Sequence, residues 1–146
     1  MKLSNGYMEY AVFPEWKLFL ELFFGELDID FLKTSSKAIW SEPSYDPSFS
    51  GLIDIRNATL KFGVMNVLQM VKFFSDEPKT AKGLLVVVAS EYRSTALSSA
   101  FARNMASLMK VAVVSTLEGA AQALELDYHR LVSMLDLPRK KLYKST

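Results

Sequence analysis

The chain of 146 residues carries 17 Lys and Arg against 16 Asp and Glu, and half of its residues are hydrophobic. This length fits one domain, and so apolar a composition excludes a disordered chain. A net charge of +1 gives no global field that would attract nucleic acid, and the lack of cysteine excludes disulfides, thiolate metal sites and thiol nucleophiles.

The positive charge is concentrated at the C-terminal end. Residues 139–146 hold four cations and no acid, so residues 1–138 hold 13 cations against 16 acids, a net charge of −3. We predict a single domain over 1–138 and a short basic C-terminal tail over 139–146. Such a tail is usually solvated, and the alternative is that it contacts an acidic partner.

Targeting signals are not evident in the sequence. The first six residues, Met-Lys-Leu-Ser-Asn-Gly, contain no apolar run of the secretory type. No apolar stretch approaches the ~18 residues that a bilayer-spanning helix needs. We therefore expect a cytoplasmic protein with no membrane insertion.

The first predicted elements are two strands, a helix and a third strand. Largely apolar runs predict strands at 7–13 and 17–24, and the turn Pro14-Glu15-Trp16 between them implies an antiparallel hairpin. Asp28 is a good N-cap for a helix that ends near residue 40. A loop with two prolines then leads to a strand at 51–56.

Helices and strands alternate through the rest of the chain. Helical spacing of apolar residues covers 63–75, and the apolar run at 83–89 is typical of a strand buried on both faces. Ser94 can cap a helix to about residue 109, before a short strand at 111–114. A capping box at 115–118 begins another helix, and Asp127 begins the last, to about residue 135.

This order predicts an α/β fold. Strands separated by single helices imply parallel pairing with right-handed crossovers. We expect a mixed, mainly parallel five-stranded sheet that begins with the antiparallel hairpin, continues in β-α repeats, and carries its helices mostly on one face.

Several short segments resemble a known superfamily. They are Phe-Phe-Gly at 23–25, Tyr-Asp-Pro-Ser-Phe at 45–49, Leu-Ile-Asp-Ile-Arg at 52–56, Val-Val-Val-Ala-Ser at 86–90 and Thr-Leu-Glu-Gly-Ala at 116–120. In order and spacing, residues 7–126 resemble the STAS or SpoIIAA-like superfamily, in particular an uncharacterised bacterial branch. The resemblance implies the wound α/β sheet and, in some relatives, regulation through a phosphorylated Ser or Thr at the start of the helix after the third strand.

The phosphorylation site of those relatives has no clear counterpart here. It would fall at residues 62–64, Phe-Gly-Val, which carry no hydroxyl. Thr59 is the nearest candidate, and it lies before the expected helix. The resemblance therefore favours a regulatory or protein-interaction module without an evident phospho-switch serine.

Polar residues gather after two neighbouring strands, where open parallel sheets tend to bind ligands. Asp54 and Arg56 share one face of the third strand, and Thr59 follows them. Ser90, Arg93 and Ser94 follow the fourth strand. These six residues are the candidate ligand or interaction site, and the competing interpretation is structural: a carboxylate that accepts N–H groups, an arginine that ties the chain, and a helix cap.

One face of the second strand is unexpectedly apolar. Phe19, Glu21 and Phe23 alternate with Leu18, Leu20, Leu22 and Phe24, so both faces need a cover. If the crossover helices lie on one side, the other is covered by segment 127–136, by a second copy of the chain or by an apolar ligand. Phe19 and Phe23 are candidates for such an apolar interface, and a homodimer is one outcome.

Three functions remain open from sequence. The first is a non-enzymatic regulatory or interaction module, with an unknown protein or itself as partner. The second is a small apolar or lipid-like ligand-binding protein, which a pocket of Met and aromatic residues between helices and sheet would favour. The third is a cryptic enzyme that uses the polar cluster. No catalytic motif, cofactor motif or metal-binding pattern is found, and His129 is predicted to face solvent.

Overall fold

The structure, a computed structural model, describes residues 5–144. Its strands are β1 (Tyr7–Phe13), β2 (Leu18–Leu27), β3 (Ser50–Leu60), β4 (Leu85–Val88), β5 (Val111–Val114) and β6 (Lys140–Tyr143). Its helices are α1 (Ile29–Trp40), α2 (Val64–Asp76), α3 (Tyr92–Met105), α4 (Leu117–Leu124) and α5 (Tyr128–Leu135). All strands join one sheet in the order β5-β4-β3-β2-β1-β6.

The strand directions confirm the predicted α/β class. Strands β2 to β5 run parallel, and β1 is antiparallel to both of its neighbours, β2 and β6. The β1–β2 connection is a single 3-10 turn over Pro14–Trp16, closed by Lys17 in the left-handed region at φ 51°. Asp28 and Asp127 cap α1 and α5 as predicted, each accepting a backbone N–H three residues on.

The sheet has six strands rather than the predicted five, because the basic C-terminal segment is a strand. Residues 140–143 pair with β1. The fold brings the basic side chains of this segment close to acidic residues that are distant in the sequence. Arg139 lies 2.6 Å from Glu9, and Lys140 lies 2.9 Å from Glu42. Residues 139–144 therefore belong to the domain rather than to a solvated tail, while 145–146 lie outside the described residues.

Helices cover both faces of the sheet. On one face, α1 and α3 pack over the sheet and α2 packs against both of them. On the other, Ala121 of α4 and Leu131 of α5 pack against Leu20, Leu52 and Val86. Three of the helices described, α1, α2 and α3, share one face, which agrees with the prediction that helices lie mostly on one face, and α4 and α5 lie on the other. The second face is covered by the chain itself, through the segment 127–136 that was one of the expected covers. No helix within residues 5–144 is long and apolar enough to cross a membrane.

Candidate functional site

Asp54 and Arg56 form a tight pair on β3. The Arg56 Nη2 lies 2.8 Å from Asp54 Oδ2, and Nε donates to Oδ1 at 3.0 Å. The same Oδ1 accepts the Arg56 backbone N–H at 3.0 Å. These hydrogen bonds, with the charge of Asp54, raise the pKa of the Arg56 guanidinium. Asp54 is buried and both of its carboxylate oxygens accept hydrogen bonds from Arg56, so the geometry is that of a structural pair.

Arg93 also bonds to the chain itself. Its guanidinium donates to the backbone carbonyl oxygens of Leu60 and Phe62, which fixes the chain between β3 and α2. Ser94 does not cap α3 as predicted. Glu91 is the N-cap, and its Oε1 accepts the Ser94 backbone N–H at 2.8 Å, which lowers the pKa of Glu91. The Ser94 side chain is buried inside the first turn.

The six candidate residues do not form one cluster. Asp54 shares the sheet face of Leu52, which packs under α4 and α5, whereas Arg93 belongs to α3 on the opposite face. Ser90 and Thr59 are exposed. Thr59 lies within β3, which runs to Leu60, so it is not at the start of α2, whose N-cap is Gly63. The sheet therefore separates Asp54 from Arg93, although the sequence predicted that both lie at one edge of the sheet.

Phe19 and Phe23 are not available as an interface. They are 4% and 2% exposed and lie under the α1–α3 layer of their own chain. Both residues are therefore covered by helices of the same chain, on the face opposite α4 and α5. Dimerisation stays a prediction that neither residue supports.

The α1–α3 side contains a cavity that the sequence pattern does not predict. It has a volume of about 110 Å³, is partly open to solvent, and lies between the sheet and α2. Val67 and Met70, the buried residues of α2, line it, as does Ile53 of β3. Ile53 is partly accessible although its strand is central, because helical side chains do not fill the space above it. The full lining is Glu21, Phe23, Leu32, Ser36, Ile53, Ile55, Leu60, Phe62, Val67, Met70, Phe74, Leu85, Val87, Leu97, Ser98 and Phe101.

Glu21 is the one ionisable side chain in this lining. It lies in the middle of β2, between β1 and β3, and only 5% of it is exposed. Among residues 5–144 no group hydrogen-bonds or ion-pairs with its carboxyl group, whose oxygens border the cavity space rather than being enclosed by protein. A second cavity of about 40 Å³ adjoins the same side chain, beside Trp40 and Thr80.

Burial makes Glu21 a neutral acid at neutral pH. Removal from water disfavours the charged form and raises the pKa of Glu21 from 4.5 to about 8. Tyr45, which packs edge-on against Phe19 at 5.7 Å, has its pKa raised by its own burial and then by the charge of Glu21. A strongly perturbed acid in a cavity is a functional-site candidate on physical grounds.

Two hydroxyl groups complete the polar lining. Ser36 of α1 donates to the backbone carbonyl of Leu32 at 3.0 Å, so its hydroxyl is already used as a donor. Ser98 of α3 is buried and borders the cavity. Both are small residues on helical faces that point toward the sheet, and their size leaves room in front of Glu21.

A sequence signal for this site does exist. Glu21 is the only charged residue in the first seven positions of β2, Leu-Phe-Leu-Glu-Leu-Phe-Phe. A lone acid inside a central apolar strand is rarely buried without a partner. The sequence does not show that the helices packed over Glu21 would leave a cavity beside its carboxyl group.

Comparison of the sequence with models of known protein families finds no match, and comparison with curated proteins finds none. The STAS resemblance therefore stays a prediction. His129 is exposed on α5, as predicted, and no group of three or more His, Asp or Glu in residues 5–144 is arranged to hold a metal ion.

Proposed function

We propose that the protein binds a small, largely apolar molecule in the cavity between the sheet and α2. The observation that carries this proposal is the unpaired carboxyl group of Glu21, directed into an otherwise apolar space. A protein interior is normally packed with few voids larger than a water molecule. A cavity with one convergent polar group is instead the usual form of a small-molecule site.

The size of the cavity limits the ligand. An apolar cavity of roughly 150 Å³ in another protein accommodates benzene. The cavity of about 110 Å³ is somewhat smaller and partly open to solvent, so we expect a ligand of about that size or smaller. Aromatic residues and Met70 line it between helices and sheet, which is the feature that favours ligand binding over the other functions considered.

The other two functions have less support. An interaction module is expected only from the STAS resemblance. An enzyme that uses Asp54, Arg56 and Arg93 would need these groups to converge, and they lie on different sides of the sheet.

Cavity filling tests the proposal. Ser98→Leu places a larger side chain in the cavity, and Ser99→Leu makes the same change one residue along α3, where the side chain does not line it. We expect benzene to raise the thermal-unfolding midpoint of the native chain and of Ser99→Leu, because a ligand that binds only the folded state stabilises it. Ser98→Leu should show no shift. Equal shifts in all three proteins, or none in any, would contradict the proposal.

A further inference from the structure

The cavity also indicates which polar group its ligand carries. We propose that the ligand is a small apolar amine whose nitrogen pairs with the Glu21 carboxyl group; this inference rests on the proposed function. Only 5% of Glu21 is exposed, and no group in residues 5–144 pairs with its carboxyl group. The chain therefore supplies no hydrogen-bond partner for this carboxyl group, and a ligand in the cavity can supply one.

Charge balance favours an amine over an anionic ligand, and hydrogen bonding favours it over a hydrocarbon. No lysine, arginine or histidine of residues 5–144 lines either cavity. A carboxylate ligand would bring negative charge beside an acid with no cation near it, at a high desolvation cost. A hydrocarbon would leave the carboxyl group unpaired. An amine and a carboxyl group together carry no net charge, and the pair is the strong, charge-assisted type of hydrogen bond.

The lining suits a cationic nitrogen in a second way. Phe74 and Phe101 border both cavities, as Glu21 does, and their rings pack edge-on at 5.7 Å. Aromatic rings attract an ammonium group through their negative faces, an effect that grows when water is excluded. The aliphatic floor of Ile53 and Leu85 suits the hydrocarbon part of such a ligand.

Binding would release a proton. Glu21 is neutral below about pH 8, and an alkyl amine arrives as the ammonium ion because its pKa is near that of lysine. When the ammonium ion pairs with the carboxylate, the Glu21 proton leaves to solvent and no other bond changes. The titratable groups that face Glu21 from neighbouring elements are Tyr10, its partner across the β1–β2 pair, and Tyr45, whose pKa is raised.

Three probes of one shape test the inference: cyclopentylamine, cyclopentanol and methylcyclopentane. By titration calorimetry on the native chain we expect the amine to bind at least tenfold more tightly than methylcyclopentane near neutral pH. Its affinity should rise close to tenfold per pH unit up to about pH 8, as release of one proton requires. The heat of binding should vary with the ionisation enthalpy of the buffer. In Glu21→Gln the preference for the amine should disappear while methylcyclopentane still binds.

The outcomes separate the two proposals. Methylcyclopentane or cyclopentanol that binds as tightly as the amine, with no proton release, would overturn the amine inference and leave the apolar ligand site intact. Failure of all three probes to bind would overturn both. The proton release is measured on the native chain, so the test does not depend on whether the variant folds.

Discussion

Replacement of Glu21 by glutamine should make the protein more stable above neutral pH. In the native chain, the carboxyl group ionises near pH 4.5 when unfolded and near pH 8 when folded. Between these values the folded state holds a proton that the unfolded state has lost. The free energy of unfolding therefore falls as pH rises through this interval and levels off above it.

The magnitude follows from the size of the interval. Each pH unit within it costs about 1.4 kcal/mol, so the raised pKa of Glu21 removes up to about 4–5 kcal/mol of stability between pH 4.5 and 8. Glutamine has a similar shape and does not titrate. The difference in unfolding free energy between Glu21→Gln and the native chain should be small near about pH 5 and grow to several kcal/mol at about pH 8.5.

Urea denaturation measures this difference. Trp16 and Trp40 report unfolding by fluorescence, and every other titrating group is common to both proteins, so its effect cancels. Glu15→Gln, in the turn before β2, controls for the loss of one acid from an exposed position. Two stability curves that stay parallel from pH 5 to 8.5 would refute the conclusion that Glu21 is buried and neutral.

Two further predictions concern pairs that the structure makes tight. Arg139→Ala removes charge-assisted hydrogen bonds to Glu9 and should lower the free energy of unfolding by about 1–3 kcal/mol in urea denaturation. Lys141→Ala, whose nitrogen lies 3.8 Å from the same acid, should change it by less than about 0.5 kcal/mol, and equal losses would contradict the conclusion that Arg139 is the main partner of Glu9. Asp54→Asn should also destabilise, by about 1–3 kcal/mol, through its lost bonds to Arg56, yet leave benzene binding unchanged in a calorimetric titration. Loss of binding in that variant would revive a functional role for Asp54.

Local pattern was enough to predict the elements that depend on neighbours in the sequence. The largely apolar run at 7–13, followed by the turn at Pro14, predicted β1 with both ends correct. Asp28 and Asp127 cap helices because the N–H groups they accept lie three residues away. Glu91 shows the limit of the same reasoning. Ser94 has the preferred hydroxyl, but Glu91 reaches the Ser94 N–H from one turn earlier and begins α3 there.

Elements that depend on distant partners were not predictable. The segment 140–143 has no alternating apolar pattern, and its pairing with β1 is accompanied by contacts of Arg139 with Glu9 and Lys140 with Glu42. Those acids lie about a hundred residues or more away along the chain. The prediction of one polar cluster was wrong for a related reason. Residues at the same edge of a sheet can lie on either of its two faces, and the sequence does not show that Asp54 and Arg93 lie on opposite faces.

The cavity and Glu21 together make an argument about function that neither makes alone. A partly open cavity of about 110 Å³ leaves the side chains around it without packing partners on one side. The buried acid adds a pH-dependent cost of its own, and a leucine or methionine at position 21 would avoid it. Both costs fall on the same few side chains, and one occupant would offset both: its hydrocarbon part restores the packing and its polar group pairs with the carboxyl group. An ordinary packing defect would have no reason to be lined by the only unpaired buried carboxyl group found in residues 5–144.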